Sequence, residues 1–391
     1  MKHFILKANH ILAGADLTPM EHAAIEINNG KIGQIYEQAN LIPDELKDLV
    51  IDLGDKTLIP GMIDCHNHLG LDTRLENHLV KMNDCECEQT LRGLKTMQDD
   101  LVSGVTTSRC MGDRFYIDVT CRNAQREGRI IGPKLIVSGI GMRASHEHGY
   151  VGMPFDGPEE FRKQARANIA HGVDFLKVFM TKVINATPFI YHFLSPEELR
   201  AVVQEARSVD IPTACHCSGG QGLDDCLEAG IDCLEHVYYI TSEQVQRVLE
   251  YDRWVVYTPS YALNDTLLFK FSPQDREGSL KEKEIICNCL RGAIEGGLKF
   301  GIGTDGIHQG LAQEAKYISE LGASNHDVLA GITTNAAKLC RVANQTGSIA
   351  TGLAADLVAL DGNPLADISA LKKVSAVWQD GNSIDLHPNI I

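Results

Sequence analysis

No two of the twelve cysteines in this 391-residue chain stand in Cys-x-x-Cys spacing, so neither a zinc ribbon nor a disulfide scaffold is indicated. Three pairs are Cys-x-Cys, at 85/87, 215/217 and 287/289, and they read as reduced thiols packed as small hydrophobic groups. Nowhere do about 18 apolar residues run together, which excludes a membrane-spanning helix. The opening stretch MKHFILKANHILAG is interrupted by Lys7 and His10 and is too short for a signal-peptide core, so a cytoplasmic protein is expected. Positive charge is scarce: 36 Lys plus Arg face 52 Asp plus Glu, a net charge of −16. That field repels phosphate backbones and anionic lipid surfaces, and the expectation is no nucleic-acid partner and no membrane partner. There is no Gly-x-Ser-x-Gly elbow for a serine hydrolase, no low-complexity tract and no internal repeat.

What is present is a soluble globular composition, 44 % hydrophobic and 23 % charged, with a change of pattern near residue 57. Before it, short strands are separated by turns at Asn28-Asn29-Gly30 and Leu53-Gly54. After it, apolar runs alternate with helical patterns: TLIPGMIDCHNHLG, GVTTSRCMG, KLIVSG, DFLKVF, PTACHC, CLEHV, WVVYTPS and LKFGIGTDG. Strands alternating with helices imply a parallel sheet, and eight such units fit a (β/α)₈ TIM-like barrel over residues 57–344. From about residue 345 the chain returns to strands and turns. Residues 1–56 and 345–391 are therefore expected to form one small β-sandwich domain built from both chain ends. Ser195-Pro196-Glu197-Glu198 and Thr241 with Gln244 are capping-box signatures that open helices between strands. The polar stretch Tyr261 to Lys283 is long for a connection and is expected to act as a lid or specificity loop.

Six residues with metal chemistry fall at the ends of these runs: His66, His68, Lys177, His216, His236 and Asp305. Strand alternation puts His66 and His68 on one side with Asn67 opposite, which suits two ligands of one ion. Imidazole and carboxylate together suit zinc and similar divalent ions. Lys177 lies between Phe175-Leu176 and Val178-Phe179. An ammonium there is desolvated, its pKa falls, and its neutral amine can take up carbon dioxide to give a carbamate anion that bridges two cations. Gly301-Ile302-Gly303-Thr304-Asp305-Gly306 formally matches a dinucleotide-binding turn, but it lacks the βαβ context that such a turn needs. Cys215 and Cys217 flank His216 and are expected to face away from the interior as packing residues.

On these residues the chain resembles the amidohydrolase superfamily, in its binuclear branch with a carboxylated bridging lysine. DFLKVF, LSPEELRAVVQEA, LEAGIDCLEHV and GTDGIHQG are similar to the prolidase-like, imidazolonepropionase-related group, which contains metal-dependent dipeptidases and carboxypeptidases. The resemblance implies that His66, His68 and Asp305 hold one divalent ion and His216 and His236 a second, with the Lys177 carbamate between them. It further implies hydrolysis of an amide or peptide C–N bond by a bridging hydroxide, Asp305 passing the proton to the leaving amine, with His148 or His146 polarising the carbonyl.

The expected substrate is a small molecule, a dipeptide or an N-acyl amino acid with a free carboxylate, turned over by a homo-oligomer. Arg143 is the first choice to receive that carboxylate, with His146, His148, Tyr238 and Tyr239 as further contacts. Ser218 stands where some members of the group carry a tyrosine that contacts the reacting centre. Three alternatives are a deaminase, a urea, carbamate or lactone hydrolase, and a non-catalytic scaffold homologue. The deaminases usually carry a glutamate where this chain has Gly219. All six ligand positions are filled, which argues against the scaffold.

Overall fold

A computed structural model of the chain describes residues 3–146, 150–183, 189–268 and 273–387. From Met62 onward the fold is mixed α/β with parallel strands. Met62–Asn67, Val105–Cys110 and Lys134–Val137 pair in parallel as one run. Leu176–Phe179, Thr213–Gly219, Cys233–Tyr239, Trp254–Tyr257 and Phe300–Ile302 form the core of a second. Backbone bonds span the gaps between the two runs. Asp174 N donates to Val137 O over 2.7 Å, while Thr304 N and Asp305 N both donate to His66 O, over 3.0 and 2.7 Å. The last strand is thereby tied to the first.

Met62–Asn67, Val105–Cys110, Leu176–Phe179 and Phe300–Ile302 are buried along their whole length, as parallel strands covered on both faces are. Both expected helix starts are capping boxes. The Ser195 side chain accepts from Glu198 N and that of Thr241 from Gln244 N, with the Glu198 and Gln244 side chains returning the bond. Each such cap contributes about 1 kcal/mol to its helix.

Both chain ends join in one eight-stranded sheet. His3–Ala13 pairs antiparallel with Thr18–Asn28, and Thr57–Pro60 pairs antiparallel with Leu357–Leu360 from the far end of the chain. Thr57–Pro60 begins the first apolar run of the sequence, so that run is divided between the two sheets at Gly61. A Cβ there would sit 2.1 Å from Thr106 Oγ1, which leaves room only for glycine. Apolar clusters cover both faces of this sheet: Leu6, Ala8 and Ile25 on one, Ile5, Ala24 and Tyr36 on the other.

The stretch from Tyr261 to Lys283 differs from the expected loop. Its described residues are helical except Asn264, in Ser260–Leu263, Asp265–Leu268 and the start of Pro273–Glu295. Among the described residues no helix is long and apolar enough to cross a membrane.

Candidate metal centre

The six expected ligands meet at the C-terminal ends of the parallel strands. The rings of His66 and His236 lie 4.7 Å apart, those of His216 and His236 4.4 Å, and those of His66 and His68 5.5 Å. Asp305 Oδ1 is 3.3 Å from His66 Nε2 and 3.4 Å from His68 Nε2. Ligand atoms of His66, His236 and Asp305 all fall within 4.8 Å of one another, the spacing one cation can span.

Three of the histidines are fixed through the nitrogen that faces away from the centre. His66 Nδ1 bonds Glu235 Oε2 at 2.7 Å, His68 Nδ1 bonds Gly112 O at 2.7 Å, and His236 Nδ1 bonds Thr258 Oγ1 at 2.7 Å. With Nδ1 engaged, each ring presents Nε2 as the coordinating lone pair. His236 Nε2 and Lys177 Nζ are buried and have no hydrogen-bond partner in the structure. Burial lowers the pKa of Lys177, although nearby Glu235 opposes the shift, and burial likewise holds His236 well below the usual imidazole range. A neutral amine and a neutral imidazole are the forms that accept carbon dioxide and a cation respectively. Two orphaned buried nitrogens among histidine and carboxylate donors fit divalent metal, and these six residues would hold it.

The backbone is strained where it aims these groups. His236, Val237 and Asp305 adopt left-handed φ values of +76°, +47° and +53°. Such conformations cost about 1–3 kcal/mol each in non-glycine residues, and a β-branched valine is among the least suited. With this departure from regular strand geometry the consecutive residues Glu235 and His236 both contact His66, Glu235 at Nδ1 and His236 ring to ring. Close packing of the first and last strands adds a further constraint. A Cβ on Gly303 would lie 2.4 Å from His66 Cβ, so the glycine pattern that mimics a nucleotide-binding turn serves strand approach instead. Gly303→Ala is expected to push His66 aside, lower unfolding free energy by about 1–3 kcal/mol and reduce metal retention on dialysis. Unaltered stability and metal content in that variant would contradict the packing account.

Sequence reasoning missed the support behind the ligands. Glu235 bonds Arg109 Nη1 through Oε1 at 3.0 Å as well as His66, and all three are buried. Burial opposes ionisation of Glu235, but Arg109 and His66 outweigh it and keep the carboxyl well below the usual range. The Arg109 guanidinium also lies 4.4 Å from the Phe175 ring. A charged residue inside an apolar strand is the signal that singled out Lys177, and it applies equally to Glu235 in CLEHV, while Arg109 stands among the small polar residues of VTTSRC. Glu235→Gln strands the Arg109 charge, and chemical denaturation should register a loss of about 3–5 kcal/mol. A loss below about 1 kcal/mol would mean that the pair is dispensable.

The centre opens into a cavity of about 410 Å³. Leu71, Leu79, Met82, Tyr150, Val151 and Phe179 give it an apolar wall, and Lys182, Tyr238 and Tyr261 add polar tips. Of the expected substrate contacts, Tyr238 lines this cavity, with its hydroxyl donating to Thr258 O at 2.8 Å. Arg143, Tyr239, Ser218 and His146 are not among its lining residues, although the Arg143 guanidinium lies 5.6 Å from the ring of cavity-lining Tyr150. Arg143 turns Nη1 to the carbonyls of Ala144 and Ser145, Tyr239 donates to Glu282, and Ser218 N donates to Thr181 Oγ1. His146 is exposed and packs edge-on against Phe193. His148 falls outside the described residues.

Comparison with known proteins agrees with the centre. Residues 57–384 match the model of the Amidohydrolase family. The chain is 26 % identical to ochratoxinase of Aspergillus niger over an alignment of 414 positions, covering 95 % of this chain and 84 % of that one. It is 24 % identical to imidazolonepropionase of Acinetobacter baumannii, covering 88 % of each. A solved structure of a Xaa-Pro dipeptidase with bound methionine in the active site superposes with a TM-score of 0.85 at 25 % identity, covering 98 % of this chain and all of that one. The chain belongs to the amidohydrolase family and is a hydrolase acting on carbon–nitrogen bonds.

Proposed function

We propose that the chain is a two-metal amidase that cleaves dipeptides or N-acyl amino acids, built as a closed (β/α)₈ barrel flanked by a β-sandwich from both chain ends. The observation that carries the two-metal reading is Lys177, a buried and unpartnered amine on the strand beside that of His216, close enough to feel the charges of Glu235 and Asp305. Its neutral nitrogen adds to the carbon of carbon dioxide and releases a proton to solvent, leaving an anion beside the two sets of ligands. The bonds from Thr304 N and Asp305 N to His66 O support barrel closure.

Bound divalent ions, with zinc the best match to imidazole and carboxylate donors, would supply an acidified water and polarise the substrate carbonyl. The remaining work falls to the chain's own groups. Asp305 takes the proton from the attacking water on a carboxylate oxygen and returns it to the departing amine nitrogen. Glu235, Thr258 and the Gly112 carbonyl keep three imidazoles in one tautomer throughout. Tyr261 donates to Asp305 O at 2.9 Å and steadies the strained backbone that carries the carboxylate.

A deaminase fits less well. At Gly219 the backbone has φ +138° and a Cβ would stand 2.9 Å from Tyr239 O, so the glutamate usual in deaminases has no room there. The reading is tested by assaying amine release from dipeptides and N-acyl amino acids beside ureas, carbamates, lactones and aminopurines. Turnover concentrated on the first two classes supports it, and activity restricted to any of the others would overturn it.

A further inference from the structure

Among the residues lining the cavity, Lys182 has no place in the metal centre. It sits on a short hairpin, Thr181–Val183 paired with Ile190–His192, directly after the strand that carries Lys177. The base of this hairpin is fixed. Thr181 is fully buried and accepts from Ser218 N at 2.7 Å, and Phe193 N donates to Met180 O at 2.9 Å. The lysine stem therefore leaves a rigid anchor. No acidic side chain among the described residues pairs with its ammonium, whereas many of the other lysines in the structure are ion-paired.

Apart from the candidate metal ligands and Tyr238 and Tyr261, whose hydroxyls donate to Thr258 O and Asp305 O, the rest of the wall is apolar. Leu71, Met82, Val151 and Phe179 form a small cluster of their own, extended by Leu79 and Tyr150 at the solvent edge, where both are more than half exposed. A cavity with one cation and one apolar wall beside a centre for amide cleavage selects an amphiphilic substrate. The net charge of −16 works against recruiting any anion at long range, so a carboxylate must be recognised locally.

We infer that Lys182 receives the substrate carboxylate, and that the opposite wall receives a bulky apolar or aromatic group of the same molecule. The inference rests on the amidase reading above and narrows its substrates to N-acyl amino acids or dipeptides with a large hydrophobic side. The function expected of Arg143 passes to Lys182, because Arg143 turns a guanidinium nitrogen to carbonyls of its own loop.

Lys182→Met keeps the apolar stem and removes the charge, while Lys182→Arg keeps the charge. With aromatic N-acyl amino acids and their C-terminal amides as paired substrates, wild-type kcat/KM should favour the acids. Lys182→Met should collapse that ratio by about 10- to 100-fold, mainly through KM for the acids, and Lys182→Arg should recover part of it. An unchanged ratio in Lys182→Met would overturn the inference. Calorimetric binding of hydrocinnamate against hydrocinnamamide to metal-loaded protein separates this from the parent reading. Tighter binding of the acid that disappears in Lys182→Met supports the inference even if no amide is cleaved. Equal binding of the acid by wild type and Lys182→Met overturns it, and leaves the amidase reading standing wherever amides are turned over.

Discussion

Lys177→Ala is expected to abolish turnover and to leave well under two ions per chain, because the proposed anion between the ligand sets can no longer form. Structural loss alone does not produce this outcome. The Lys177 amine is wholly buried without a partner, so removing it relieves a desolvated polar group at the cost of a cavity. The variant should stay folded, with a circular dichroism spectrum like that of wild type, while its metal content falls. A folded Lys177→Ala protein that keeps two ions and normal activity would end the binuclear reading.

For Asp305→Asn the expected result is a fall in kcat of about 10²- to 10⁴-fold with KM little changed. An amide cannot accept the proton and is a poorer ligand than a carboxylate. Burial raises the cost of ionising Asp305, yet His66, His68 and His236 outweigh it and hold the carboxyl well below its usual range. The variant also leaves the backbone geometry in place, since asparagine tolerates the left-handed φ of +53° as well as aspartate does. A loss confined to KM would assign Asp305 to substrate binding instead.

The candidate metal ligands were legible in the sequence because each is costly where it stands. A histidine, lysine or aspartate at the end of an apolar strand must be paired, and six of them in βα register leave few alternatives. The parallel strands were legible for the same reason that parallel sheets usually are, as short apolar runs covered on both faces. Glu235 carried the same signal, and Arg109 is the partner it bonds. They went unread because strict alternation turns Glu235 away from the side of His236, whereas in the structure, with left-handed backbone at His236 and Val237, both contact His66.

The cavity wall was not legible. Leu71, Met82 and Val151 meet from separate loops, and nothing in their local patterns distinguishes them from ordinary core residues. Arg143 drew attention because arginine suits a carboxylate, but loop geometry, which no periodicity encodes, faces Nη1 toward neighbouring carbonyls. The helical form of the stretch after Tyr261 was hidden by its polar composition. Polar helices at a surface show weak amphipathic patterning and resemble connections.

The most direct test of the two-metal centre is the metal-to-protein ratio of the purified full chain, measured by elemental analysis after equilibration in metal-buffered solution. Two divalent ions per chain in the wild type, falling well below two in Lys177→Ala, is the predicted result. A wild type that saturates at one ion, or binds none, would contradict it.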